Sequence, residues 1–188
     1  MEMKIIQDCL LQVIKEIEGP KVREELKKTP FRVAKAYKEI FDGYGIDTKE
    51  LLSNQFEQDG ADMIVAVRDI KFYSTCEHHL LTFDGIANVA YLPNNRKVVG
   101  VSKIERLVNV YAHRLQLQER ITRQVAEDLM TYLEPRGVAV IIQAKHLCMR
   151  CRGVKSNSSQ MVTSVMLGAF RDNQSARMEV LSLLGITK

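Results

Sequence analysis

Cys76, Glu77, His78 and His79 put a thiol, a carboxylate and two imidazoles in consecutive positions of the stretch S-T-C-E-H-H-L-L. A second stretch, K-H-L-C-M-R-C-R-G, adds His146, Cys148 and Cys151. With only four Cys and four His in the chain, the two stretches leave just Cys9 and His113 outside. Cys and His are the usual ligands of zinc, and a Cys-x-x-His spacing lets both side chains reach one ion. The second stretch completes such a site in one of two ways. Cys76, His79, Cys148 and Cys151 together would make a closed Cys₃His structural site. If the strand before them continues, however, residues three apart face opposite ways, so Cys148 and Cys151 cannot share an ion while His146 and Cys148 share a face. The ligands are then Cys76, His79 and Cys148, leaving a fourth position for water as in catalytic zinc. His78 and His146 become spare imidazoles beside the ion, suited to proton transfer. Spacing alone leaves both arrangements open.

Other residues around these stretches suit an anionic ligand. Lys145, Arg150, Arg152 and Lys155 flank the second one. Lys103 and Arg106 follow Ser102, which is expected to cap a helix, and a helix N-terminus with added cations favours phosphate. Arg32 and Lys35, three apart, are neighbours on a helix surface, where spacing alone reads them as solvated. Gln118 and Glu119 open another helix, and solvation is the usual fate of such a pair. A buried carboxylate there could accept two donors from a guanine edge. Cys9 lies on an apolar helix face and reads as core filler. His113 reads as a mid-helix surface residue, and Glu77 as a partner for a nearby cation or imidazole. No GxxxxGK[ST] loop is present, which excludes a P-loop machine.

The elements that must position these groups follow from periodicity. Apolar residues at Ile5, Ile6, Cys9, Leu10, Val13, Ile14 and Ile17 have helical spacing, and Gly19-Pro20 ends that helix. Thr29 is expected to cap a second helix with Pro30 at its first position. Residues 43–60 read as a polar connector. From Met63 the period changes to two, and a second strand covers 86–92, with turns at Asp84-Gly85 and at Pro93-Asn94-Asn95. Helices are expected from 103 to about 114 and from 116 to 132, the latter stopped by Pro135-Arg136-Gly137. Strands follow at 138–144 and 161–170, and a last helix near 174–184. Two strand pairs separated by a helical pair give an α+β fold, an antiparallel sheet with helices on one face. The domain division is 1–60, an N-terminal helical region, and 61–188, the α+β domain that carries both cysteine-histidine stretches. Exposed sheet edges call for pairing between subunits, so an oligomer is expected.

The composition fits this scheme. The chain has 188 residues, enough for one domain with a real core, and a net charge of +4 that permits an anionic ligand without the dense basic field of a nucleic-acid binder. With no Trp and no aromatic cluster among the cations, stacking platforms for nucleic acid are not evident. No leader pattern opens the sequence and no apolar run approaches the roughly 20 residues that span a bilayer, so a cytoplasmic protein with reduced thiols is expected.

T-P-F-R-V-A-K, C-E-H-H, V-G-V-S-K-I-E-R, L-Q-L-Q-E-R-I-T and H-L-C-M-R-C-R-G-V occur in this order. Together they closely resemble GTP cyclohydrolase I from about Lys28 to Leu184. The resemblance implies the tunnelling fold, with subunit sheets joined edge to edge into a barrel, and a homodecamer with active sites at subunit interfaces. It implies GTP as substrate, Zn²⁺ as cofactor, and 7,8-dihydroneopterin triphosphate and formate as products, in the first step of folate and pterin biosynthesis. By position, Cys76, His79 and Cys148 match zinc ligands, and His78 and His146 match the acid-base histidines. Gln118 and Glu119 match the guanine-recognition pair. Arg32, Lys35, Lys103, Arg106 and Arg152 match the triphosphate cations, and Ser102 the serine near the ribose. Cys151 stands where the family pattern requires no cysteine, and Thr82 where a proline is common. The alternatives are a zinc-stabilised interaction module closed by Cys151, and a related tunnelling-fold enzyme acting on a pterin or deazapurine.

Overall fold

The computed structural model describes residues 2–57, 63–94 and 97–186. The expected division between residues 60 and 61, and Asn95 of the expected turn, lie outside the described residues. The chain forms two compact units, Met1–Asp42 and Gly43–Lys188.

In the first unit, α1 (Met3–Glu18) packs against α2 (Thr29–Ile40). Two helices can cover only one stripe of each other. Accordingly α1 fully buries none of its residues, and Ile5, Val13 and Ile17 are more than half exposed. Cys9 is exposed as well, so it is not the core filler that periodicity suggested. Helix α2 starts one residue earlier than expected. Lys28 is its N-cap, Thr29 and Pro30 form its first turn, and the Thr29 hydroxyl caps nothing. Pro30 and Ala34 face inward, while Arg32 and Lys35 are exposed.

The second unit opens with α3 (Thr48–Ser53), where the Asp47 carboxylate accepts the Lys49 N–H at 2.9 Å. A short β1 (Gln55–Glu57) leads to the two long strands β2 (Val65–Cys76) and β3 (Thr82–Leu92). Next come β4 (Lys97–Val99), α4 (Val101–Ala112), β5 (Leu115–Gln116) and α5 (Gln118–Leu133). The chain continues through β6 (Gly137–His146), α6 (Leu147–Arg150), β7 (Met161–Gly168), α7 (Ala169–Asp172) and α8 (Gln174–Leu183).

The main sheet has the order β5-β2-β3-β6-β7, antiparallel except where β5 joins β2, and β1 pairs separately with β4. This is the expected mixed α+β arrangement. Strand β6 reads Val138-Ala-Val-Ile-Ile142 because it is covered on both faces. Val138, Val140 and Ile142 join Val89 and Tyr91 under α4 and α5. Ala139 and Ile141 point the other way and meet Phe170, Val180 and Leu184 of the C-terminal helices. Each buried Val, Ile, Leu or Phe among them contributes roughly 1.5–3 kcal/mol when removed from water. Helices therefore cover both faces in part, not one.

The strand boundaries carry a second correction. Asp84-Gly85 is not a turn: β3 runs through it unbroken, pairing Gly85 with Ala144. A Cβ at Gly85 would lie 2.1 Å from the Gln143 carbonyl oxygen and 2.7 Å from the Ala144 Cα. Glycine is there because two backbones approach closely, not because the chain reverses. A bulge between Val67 and Ile70 bends β2, and the Asn88 side chain accepts the Asp69 N–H at 3.0 Å, holding Asp69 at φ 59°.

Candidate metal centre and its surroundings

The real reversal after β2 lies in the cysteine-histidine stretch itself. Cys76 ends β2, its N–H bonds to the Leu81 carbonyl at 2.9 Å, and its own carbonyl accepts from His79 and Leu80 at 3.3 and 2.9 Å. Leu80 sits at φ 54°, a left-handed conformation that costs a branched residue energy and is held by the turn around it. This tight turn folds His79 back over Cys76, with Sγ and Nδ1 3.6 Å apart.

The third group arrives from the far side of β3. Strand β6 stops at His146, and α6 starts at once. Cys148 is thus a helix residue, and the strand-parity argument does not apply to it. The outcome it favoured is nevertheless present. The ligand atoms of Cys76, His79 and Cys148 all lie within 4.8 Å of one another and could hold a metal ion. Cys151, at the end of α6, is exposed and outside that group, so the four-ligand closed arrangement does not form. Two thiols and one imidazole are a donor set suited to zinc. Burial and the nearby Cys76 thiol push the Cys148 thiol above its ordinary pKa, with Arg152 pulling it back.

His146 has a closely specified environment. Its ring stacks on Phe83, centroids 4.5 Å apart and planes 7° from parallel, and Phe83 is fully buried. Its Nε2 lies 2.9 Å from the Gln118 side-chain oxygen. Burial lowers the His146 pKa below the ordinary histidine value, and the Glu119 charge partly offsets this. Gln118 is itself 0 % exposed. Its amide nitrogen meets the Ile142 carbonyl at 3.0 Å, the Met161 carbonyl at 3.1 Å and the Thr163 hydroxyl at 3.1 Å. Gln118 and Glu119, expected to act as a pair, are thereby separated. Glu119 is exposed and, with Arg120, Thr163 and Val165, lines an open cavity of about 490 Å³.

The remaining expected residues are at the surface. His78 is exposed, its ring edge-on to His79 with centroids 6.1 Å apart. Ser102 and Arg106 are exposed and Lys103 is half-buried on the first two turns of α4. Ser102 is not the cap: Gly100 occupies that position and no side chain caps the helix. Arg152 is exposed just beyond α6. His113 follows the last residue of α4 and is half-buried, not mid-helix.

Sequence reasoning missed three contributors. Glu77 forms a two-pronged ion pair with Arg120 of α5, one contact at 3.0 Å, and this lowers the carboxylate's pKa. The Glu77 N–H also bonds to the Gln116 carbonyl of β5 at 3.1 Å, so the turn that carries Cys76 and His79 is fastened to the segment just before α5. A partner for Glu77 was expected, but nothing marked Arg120 as that partner. Thr163 carried only strand alternation, and Phe83 fell in what read as a loop before the expected strand, although it lies within β3.

The GTP cyclohydrolase I family model matches residues 6–185. Relatives named GTP cyclohydrolase 1 include that of Desulforamulus reducens, 45% identical over 179 residues and 95% of each chain. That of Methylococcus capsulatus is 48% identical over 182 residues, covering 96% of this chain and 97% of the other. The protein of Gloeobacter violaceus is 52% identical over 162 residues, 86% of this chain and 75% of its own. With a match over nearly all of its length, the chain belongs to the GTP cyclohydrolase I family.

Proposed function

We propose that the protein is a zinc-dependent enzyme that converts GTP and water to 7,8-dihydroneopterin triphosphate and formate. The observation that carries this is the convergence of Cys76, His79 and Cys148 from two distant chain segments, with His146 held close by. Zn²⁺ at this group would supply a Lewis acid that lowers the pKa of water to near neutrality.

The chain's own residues do the rest. Glu119 accepts N–H donors from the guanine edge, beside the open cavity that it lines. Gln118 belongs with it by position, although its side chain is engaged inside the protein. Arg32, Lys35, Lys103, Arg106 and Arg152 hold the triphosphate, and Ser102 lies near the ribose. His146 gives a proton to the purine's imidazole nitrogen as water adds to C8 and that carbon becomes tetrahedral. His78 assists the later proton transfers. Water then releases formate from the opened ring, an Amadori rearrangement follows at the ribose, and pterin ring closure returns one water.

The fold is read as the tunnelling fold, residues 1–60 as its helical extension and 61–188 as the catalytic domain. Among the described residues strand β7 ends the sheet order and its outer edge is unpaired, which supports edge-to-edge joining of subunits into a barrel, as a homodecamer. No helix among the described residues is long and apolar enough to cross a membrane, in keeping with a cytoplasmic enzyme. The test is incubation with GTP and zinc. Formate and a fluorescent oxidised neopterin are expected, and a folded, zinc-loaded protein that yields neither refutes the reading.

A further inference from the structure

Cys151 is the cysteine that the candidate metal group leaves out, yet it closes the same helical turn that carries Cys148. Its N–H bonds to the Leu147 carbonyl at 2.9 Å, and its backbone stays right-handed helical at φ −87° and ψ −15°. Residues three apart on such a turn have Cα atoms about 5 Å apart, inside the roughly 4.4–6.8 Å that a disulfide spans. Cys151 is exposed, Cys148 half-buried and Cys76 buried, so a dissolved oxidant meets Cys151 first. The surroundings favour an anionic one. Arg150, Arg152 and Lys155 lie within four residues of Cys151, and no carboxylate occurs between Glu134 and Asp172. The backbone can also yield. Helix α6 is a single turn, and Gly153 at φ 60° and Lys155 at φ 49° bend the chain just beyond it. The Ser156 N–H bonds to the Met149 carbonyl at 3.1 Å, so that bend is tied to α6 itself.

We propose that Cys148 and Cys151 are a thiol–disulfide pair, closed by a small anionic disulfide such as oxidised glutathione, and that closure withdraws Cys148 from the metal group. The metal half of this rests on the reading of Cys148 as a zinc ligand. The Cys151 sulfur attacks one sulfur of the small disulfide, whose S–S bond breaks, and the first glutathione leaves as a thiol with the Cys151 proton. The Cys148 sulfur then attacks the Cys151 sulfur and expels the second glutathione. That one leaves as a thiol where Cys148 brought a proton, and as a thiolate where it did not. The two cysteines lose two electrons and the small disulfide gains them. A disulfide sulfur is not the thiolate that zinc requires, so the group is reduced to Cys76 and His79 of one turn. Exchange with an excess of thiol reopens the pair and restores the third ligand.

The test incubates the full-length, zinc-loaded protein with excess oxidised glutathione, blocks the remaining thiols and maps disulfides by peptide mass spectrometry without reduction. A chromogenic chelator follows zinc release in the same samples. The wild type is expected to gain a Cys148–Cys151 bond, to release zinc in step with it, and to regain both thiols and zinc after dithiothreitol and added metal. Cys151→Ser leaves the metal group intact and should release zinc at least roughly 10-fold more slowly. A Cys76–Cys148 bond, a reaction that stops with glutathione on Cys151, a wild type that stays reduced, or equal zinc release from the variant each overturns the proposal. If Cys151→Ser does not fold, the wild-type map and its timing against zinc release decide alone. A protein that takes up no zinc overturns the metal half and the functional reading with it. A zinc-loaded wild type that releases formate but never forms the Cys148–Cys151 bond overturns only the switch.

Discussion

Replacing Gly85 with alanine puts one methyl group where two strands touch. The new Cβ would sit 2.1 Å from the Gln143 oxygen and 2.7 Å from the Ala144 Cα, against an ordinary contact near 3.5 Å. Both neighbours are backbone, so no side chain can swing away and the β3–β6 ladder itself must part by more than an ångström. Overpacking of that kind costs about 3 kcal/mol. At ~2–4 °C per kcal/mol for a chain of this size, Tm should fall by roughly 6–12 °C. The rupture lies two residues from the Phe83–His146 pair, so kcat should fall with it. Gly45→Ala is the matched control, since nothing lies within 4 Å of its Cβ. The assay is thermal unfolding followed by circular dichroism at matched protein concentration, with zinc content measured on the same samples. If Gly85→Ala unfolds within about 2 °C of Gly45→Ala, the close approach of the two strands is not what requires glycine, and the reasoning fails.

Cys148→Ser should lower zinc affinity by more than roughly 100-fold and abolish formate release, while Cys151→Ser should change neither; metal analysis after dialysis reads both. Glu77→Gln frees the metal turn from Arg120, so zinc should pass to a competing chelator roughly 10-fold faster at unchanged Tm. Phe83→Leu keeps most of the buried volume but removes the stack on His146, and should cost about 1–2 kcal/mol in a urea melt.

The helices and long strands were legible because their periodicity is strong, and β6 because β-branched residues run through it. Boundaries were not legible wherever a residue serves two purposes. Asp84-Gly85 has the composition of a turn, yet close approach of strands selects glycine just as well. The reversal actually falls at residues 77–81, a run without glycine or proline, where Leu80 takes up the left-handed conformation. At the site, Cys76, His79 and Cys148 could be named from residue type, and they meet as expected. The argument that weighed against Cys151 assumed a strand where α6 forms, so it favoured the arrangement for the wrong reason. Gln118 shows the other limit. Residue type marks a glutamine as a hydrogen-bonding group, but only its surroundings decide whether it faces a ligand or a neighbouring side chain.

The order of the strands also sets a timetable. Cys76 and His79 leave the ribosome early, with β2, while Cys148 follows β6, and β3 separates the two strands in the sheet. No nascent chain can close the metal group until α4 and α5 have been made and β6 has zipped onto β3. Until then the early half carries a thiol and imidazoles able to bind a stray ion loosely. Closure of the candidate metal group therefore comes late in the chain's synthesis, and a ribosome stalled before β6 would expose a half-site rather than the assembled group.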